Sequence, residues 1–324
     1  MYVLRKDWCL KDQIDLLKAL GQGSYGSVFM SCYHQRPEDE ECMKSVAKIG
    51  TITDNEVASS ELAGKYGYGP EVYADYTCEG HIFPIKTFLE LYDNPENQRI
   101  FAAKLPTIPP EKIGVLVMEK FDMTLESKLR QVQDDVVTEE NFAEMVTLAE
   151  ETLHVLNGFR VDLGYHNDLK PDNIMLSAQG NNVHLIDFGL AVMVGGTYTN
   201  QNPLPPPSRH QVGWTGFTMI SRSKTELLAI AAASGRGHLS PKRVEQFFEN
   251  YDALCLVAAL KDYYLPKRPG LLGPSGEFIF AFIKLLIKQA PLLSPLLLFE
   301  VRRSTMRDEI AGFFEPLLFF PQRR

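Results

Sequence analysis

Cysteine is scarce and does not pair by count: Cys9, Cys32, Cys42, Cys78 and Cys255 are five in number, with no CxxC spacing among them. That pattern fits neither a disulfide framework nor a zinc cluster, and it predicts a reducing intracellular compartment, cytoplasmic or nuclear. Basic charge is also short. With 33 Lys and Arg against 41 Asp and Glu, a net charge of −8, neither general nucleic-acid binding nor attachment to an anionic membrane is expected, because both need a basic surplus. The opening stretch MYVLRKDWCLKDQIDLL carries scattered charges and no apolar core, so it does not read as a secretory signal. Long uncharged apolar runs are missing too. The nearest, Phe278 to Phe299, is interrupted by Lys284, Lys288, Gln289 and two prolines, which favours a buried helix pair over a membrane span. No internal repeat is found.

What is present suffices for a sizeable core. The 324 residues are 45% hydrophobic and 23% charged, which suits one large domain or two lobes. Residues 15–30 read as strand, glycine turn and strand, and Arg36 to Glu41 as a charged loop tip. Strand character returns at Ser45 to Ile49. A helix is expected over Asn55 to Tyr66, closed by the Gly67 to Pro70 punctuation. Tyr76 to Ile113, with Asn94-Pro95 and the run Pro106 to Pro110, reads as an irregular insertion. Val115 to Met118 is an apolar strand, Glu119 to Thr124 a polar connector, and Glu139 to Gly158 a helix with apolar residues three and four apart. Past Gly195, the PLPPP run at Pro203 to Pro207 leaves two readings open, an SH3-type ligand and the blander stiff surface loop.

Four motifs carry chemistry. In Gly21-Gln22-Gly23-Ser24-Tyr25-Gly26-Ser27-Val28 the glycines let backbone N–H groups approach phosphate oxygens. A dinucleotide fold would place a helix next, whereas here Val28-Phe29-Met30 continues as strand. Val46-Ala47-Lys48 follows one strand later and offers a fixed positive charge. His166-Asn167-Asp168-Leu169-Lys170-Pro171-Asp172-Asn173 then places an aspartate, a lysine and an asparagine where they can converge on one phosphoryl group as base, charge neutraliser and metal ligand. Asp187-Phe188-Gly189, at the end of the apolar strand from Val183 to Ile186, supplies a second hard ligand for magnesium beside Asn173.

GQGSYGSV, VAK, HNDLKPDN and DFG in this order resemble the eukaryotic-type protein kinase superfamily, in a divergent serine/threonine form of the kind seen among viral kinases. The resemblance covers residues 15 to about 260. It implies a single kinase domain over 1–324 with an α+β, two-lobed fold. An antiparallel sheet with one main helix would form the N-lobe (about 1–116), joined by a hinge (about 117–124) to a mainly helical C-lobe (about 125–324). The activation segment would span about 187–241. The implied reaction is transfer of the ATP γ-phosphate to a protein hydroxyl, with Mg2+ or Mn2+ held by Asn173 and Asp187. Asp168 would be the base and Lys170 would steady the γ-phosphate. Lys48 would hold the other phosphates, paired with a helix glutamate. Gly21, Gln22, Gly23, Ser24, Gly26 and Val28 would cover ATP. Met118 would be the gatekeeper, with Glu119 and Phe121 offering backbone contacts to adenine. Asp252 would support the catalytic-loop backbone.

Some features depart from the family pattern. Glu56 and Glu61 both lie in the helix that should partner Lys48; being five residues apart they sit about 140° around it, so only one can face the lysine, and Glu56 is preferred. Asn167 stands where many members carry an arginine, the partner of an activation-loop phosphate. Activity independent of such phosphorylation is therefore expected. No clear APE motif closes the segment; Leu239-Ser240-Pro241-Lys242 stands near its place, with lysine in the glutamate's position. The tail past Leu260 is short for the family's last helices. A pseudokinase scaffold is an alternative supported by that segment alone, and a small-molecule kinase is weakened by Lys170 and the clear glycine loop.

Overall fold

The computed structural model describes residues 14–22, 26–36, 41–78, 89–104, 113–131, 139–177, 182–193, 251–253 and 255–256. The expectations for Gly23, Ser24, Pro203 to Pro207, Leu239 to Lys242, the activation segment past Met193 and the apolar stretch from Phe278 lie outside them. The chain divides into two units, Met1–Phe121 and Asp122–Arg324.

In the first unit β1 (Ile14–Gln22), β2 (Gly26–Tyr33), β3 (Met43–Thr51), β4 (Val72–Thr77) and β5 (Ile113–Glu119) form one sheet of order β1-β2-β3-β5-β4, antiparallel at every pairing. Partners across antiparallel strands share a face. Phe29, Ala47 and Val117 therefore lie together, and with Ile49, Val115, Leu91 and Tyr92 they make the apolar core. The register places Gly21, Val28, Lys48 and Leu116 in one row of the other face, with Val46 and Met118 in the next row.

Helix α1 (Asp54–Lys65) is bounded by its own sequence. Thr53 Oγ1 accepts the N–H of Glu56 at 3.2 Å as an N-cap. At the other end Gly67, at φ 78°, donates to Gly64 O, and Tyr68 donates to Ala63 O at 2.9 Å. These are the paired bonds of a Schellman stop, whose left-handed position glycine fills without strain.

Two expectations are corrected here. The stretch read as irregular takes in the last two residues of β4, Tyr76 and Thr77, and contains a second helix, α2 (Pro95–Lys104). Asn94-Pro95 looks like a turn but acts as a helix start: Asn94 Oδ1 accepts the Glu96 N–H at 2.8 Å, and proline occupies the first helical position, where no donor is needed. The expected absence of disulfides also fails. Cys32 on β2 and Cys42 just before β3 are bonded, with Cα atoms 5.4 Å apart, because the hairpin register brings both chain ends of its loop together.

The second unit contains β6 (Met123–Thr124), α3 (Leu125–Gln131), α4 (Glu139–Asp162), β7 (Gly164–Tyr165), β8 (Ile174–Leu176), β9 (Val183–Leu185) and β10 (Val192–Met193). Its small sheets have the orders β6-β8-β9 and β10-β7. The expected connector from Glu119 thus ends in a strand and α3, which the sequence reading left unassigned. Among the described residues no helix is long and apolar enough to cross a membrane.

Candidate active site

In the first unit the candidate residues lie on the sheet face opposite the apolar core. Lys48 is buried there and forms an ion pair with Glu56. Glu56 is 3% exposed on the first turn of α1, whereas Glu61 is exposed, so Glu56 is the glutamate that faces β3. The glycine turn joins β1 to β2, with Gly21 opposite Val28. Its glycines differ in purpose. A Cβ at Gly21 would meet nothing within 4 Å, whereas at Gly26 it would lie 2.6 Å from Ile49 O, so β3 alone requires Gly26. Met118, on the same face as Lys48, is half-buried. The N–H of Glu119 is taken by Glu71 O at 2.9 Å, which leaves its carbonyl as the group for the expected adenine contact, and the Phe121 side chain is buried.

In the second unit the loop from His166 to Asn173 is held from several sides. The buried Asp252 accepts the N–H of His166 at 2.9 Å and of Asn167 at 3.0 Å. Burial pushes the Asp252 carboxyl up, while the nearby His166 and these two amides pull it down. His166 Nε2 donates to Ile186 O at 2.9 Å, leaving Nδ1 to face the Asp168 N–H at 3.4 Å. The imidazole and Phe159 both pack against Phe188, with ring centroids 5.3 Å and 5.6 Å away.

At the centre is Asp168, 8% exposed. Its Oδ2 accepts from Lys170 Nζ at 2.9 Å and from Asn173 Nδ2 at 3.2 Å, and its main-chain carbonyl takes a second bond from Asn173 Nδ2 at 2.8 Å. Oδ1 is buried and accepts nothing. A buried carboxylate oxygen without a donor is costly, and such atoms call for a functional reason.

Asn173 and Asp187 approach through the β8–β9 pairing. Ile174 opposes Leu185, and one step beyond, Ile186 donates its N–H to Asn173 O at 3.0 Å. Asp187 is the next residue, with φ 66° and ψ 64°, and the turn Phe188–Leu190 follows. An amide oxygen and a carboxylate so delivered are hard ligands of the kind magnesium takes. They are two only; among the described residues no cluster of three His, Cys, Asp or Glu side chains exists.

The sequence reading gave Asp172 no role. Its carboxyl is pushed up to about 7, first by burial and then by a hydrogen bond and the charge of Glu126 at the start of α3, with Lys170 opposing. A local cue existed only in Asp172 itself, since Glu126 arrives from a helix 46 residues earlier. Set against known proteins, the chain matches no family model, and no curated protein sequence matches it.

Proposed function

We propose that this chain is an ATP- and magnesium-dependent serine/threonine protein kinase, with a two-lobed kinase fold built on the two units. The observation that carries the reading is the Asp168 carboxylate, fixed through Oδ2 by Lys170 and Asn173 while buried Oδ1 has no donor. A hydroxyl presented to Oδ1 can give up its proton there as its oxygen attacks the γ-phosphorus. The leaving ADP carries away the electrons of the broken P–O bond, and Asp168 holds the proton. Lys170, beside the same carboxylate, can move its charge toward the transferred phosphoryl group.

Lys48, held by Glu56, is assigned to the remaining phosphates, and the open space at Gly21 suits a backbone lying over them. Asn173 and Asp187 would hold magnesium, which when bound neutralises charge on the phosphate oxygens. Glu119 would contribute its carbonyl to adenine and Phe121 its main chain. Cytoplasmic or nuclear residence goes with the kinase reading alone, since the Cys32–Cys42 bond removes the cysteine-count argument for it.

The test is transfer from radiolabelled ATP to casein and to a basic protein, with Asp168→Ala as control. Label incorporated by the wild-type protein and lost in the variant is the expected result. ATP binding by both proteins with transfer by neither would replace this reading with a scaffold.

A further inference from the structure

We propose that Asn167 is a positioning residue whose side-chain amide latches the catalytic loop to the main chain just beyond Asp187. Asn167 Nδ2 donates to the carbonyl of Leu190 at 3.0 Å. The residue is 1% exposed, and its own N–H is held by Asp252. Its φ is 65°, a left-handed backbone that asparagine tolerates better than most residues. Because a carbonyl can only accept, the amide nitrogen must face Leu190, and Oδ1 is left buried without a partner. The donor is thus the working end of the side chain.

The bond gains its meaning from its neighbours. His166 holds Ile186 O, immediately before Asp187, and Asn167 holds Leu190 O, at the end of the turn that Asp187 opens. Two consecutive loop residues therefore bracket the proposed metal ligand. Just beyond, β10 pairs with β7, with Val192 opposite Tyr165. A main-chain carbonyl is present whatever the modification state of the chain, so this grip on the start of the segment needs no phosphate. The consequence for catalysis rests on the phosphotransfer reading; the latch itself does not.

Two variants test it. Asn167→Asp keeps the shape but sets an acceptor against the Leu190 carbonyl, and Asn167→Gly keeps the backbone freedom while removing the side chain; should the first fail to fold, the second carries the test. Hydrogen exchange should quicken by about tenfold or more at residues 188–193 in either variant, with the amides of β3 unchanged. Unchanged exchange at 188–193, or equal acceleration in both regions, overturns the latch. In transfer assays kcat should fall about tenfold with the KM for ATP within about twofold of wild type. An unchanged kcat overturns the positioning role. Wild-type protein no more active than Asp168→Ala would instead refute the kinase reading, and the exchange data would still decide the latch.

Discussion

Lys48 and Glu56 show how a single buried pair can be examined from both sides. An ion pair out of water is held at a high desolvation cost, so deleting one partner is far worse than replacing both with apolar groups. Glu56→Ala should lower stability by about 3–5 kcal/mol, read by urea denaturation, while Lys48→Met with Glu56→Leu should recover most of that loss. Neither protein should transfer phosphate. Recovery of activity in the double variant would remove Lys48 from the mechanism. Asp172 gives a pH signature instead. Its folded carboxyl titrates near 7 against 3.8 as its ordinary value, so between those values the folded chain binds more protons than the unfolded one. Its contribution is fully present below about pH 4 and is lost as pH rises through about 7. Asp172→Asn should flatten the fall in Tm across that window, leaving the variant about 1–2 °C more stable than wild type at pH 8, a modest gain because the group is half-buried and screened. An equal Tm slope in both proteins would show that neither burial nor Glu126 raises the Asp172 carboxyl.

At the level of elements, the β1–β2 turn separates a glycine needed for packing from one left open. Gly26→Ala drives a methyl into the backbone of β3 and should cost about 1–3 kcal/mol. Gly21→Ala should stay within about 0.5 kcal/mol in stability; its effect should fall on the KM for ATP, raised several-fold. If both variants behave alike in denaturation, the distinction is wrong. The β2–β3 hairpin is closed by Cys32–Cys42, whose loop spans 10 residues in sequence. By loop-closure entropy, reduction or a Cys42→Ser change should cost about 2–3 kcal/mol. Peptide mapping without reductant should recover residues 32 and 42 linked. Finding both thiols alkylated would restore the reduced state that cysteine count alone predicts.

Across the whole molecule, what could be read in the sequence was what is local in the chain. Asp168, Lys170 and Asn173 converge because a short loop and one 3-10 turn set their spacing, and β3, β5, α4, β8 and β9 announced themselves by apolar pattern. Relations across the chain were harder to see. Asp252, which reaches His166 from 86 residues away, was given by the family resemblance and not by local spacing, and Glu126 reaches Asp172 through packing that neither supplied. Helical angle excluded the pair Glu56 and Glu61 together, the sequence favoured Glu56, and the ion pair with Lys48 is made by Glu56. The helix at Pro95 was hidden because asparagine followed by proline signals both a turn and a helix start. On the proposed kinase reading, Lys48 and Asp187 should each contribute to the thermal response to nucleotide. Any ligand bound only by the folded state stabilises it according to its excess over Kd, about 2.7 kcal/mol at a hundredfold excess. For a chain of this size that is a rise in Tm of about 4 °C with Mg·ATP, smaller when EDTA removes the metal. Lys48→Met and Asp187→Asn, one in each unit, should each abolish most of the rise. If Mg·ATP shifted Tm equally in wild type and both variants, the nucleotide would be binding elsewhere and both assignments would fall together.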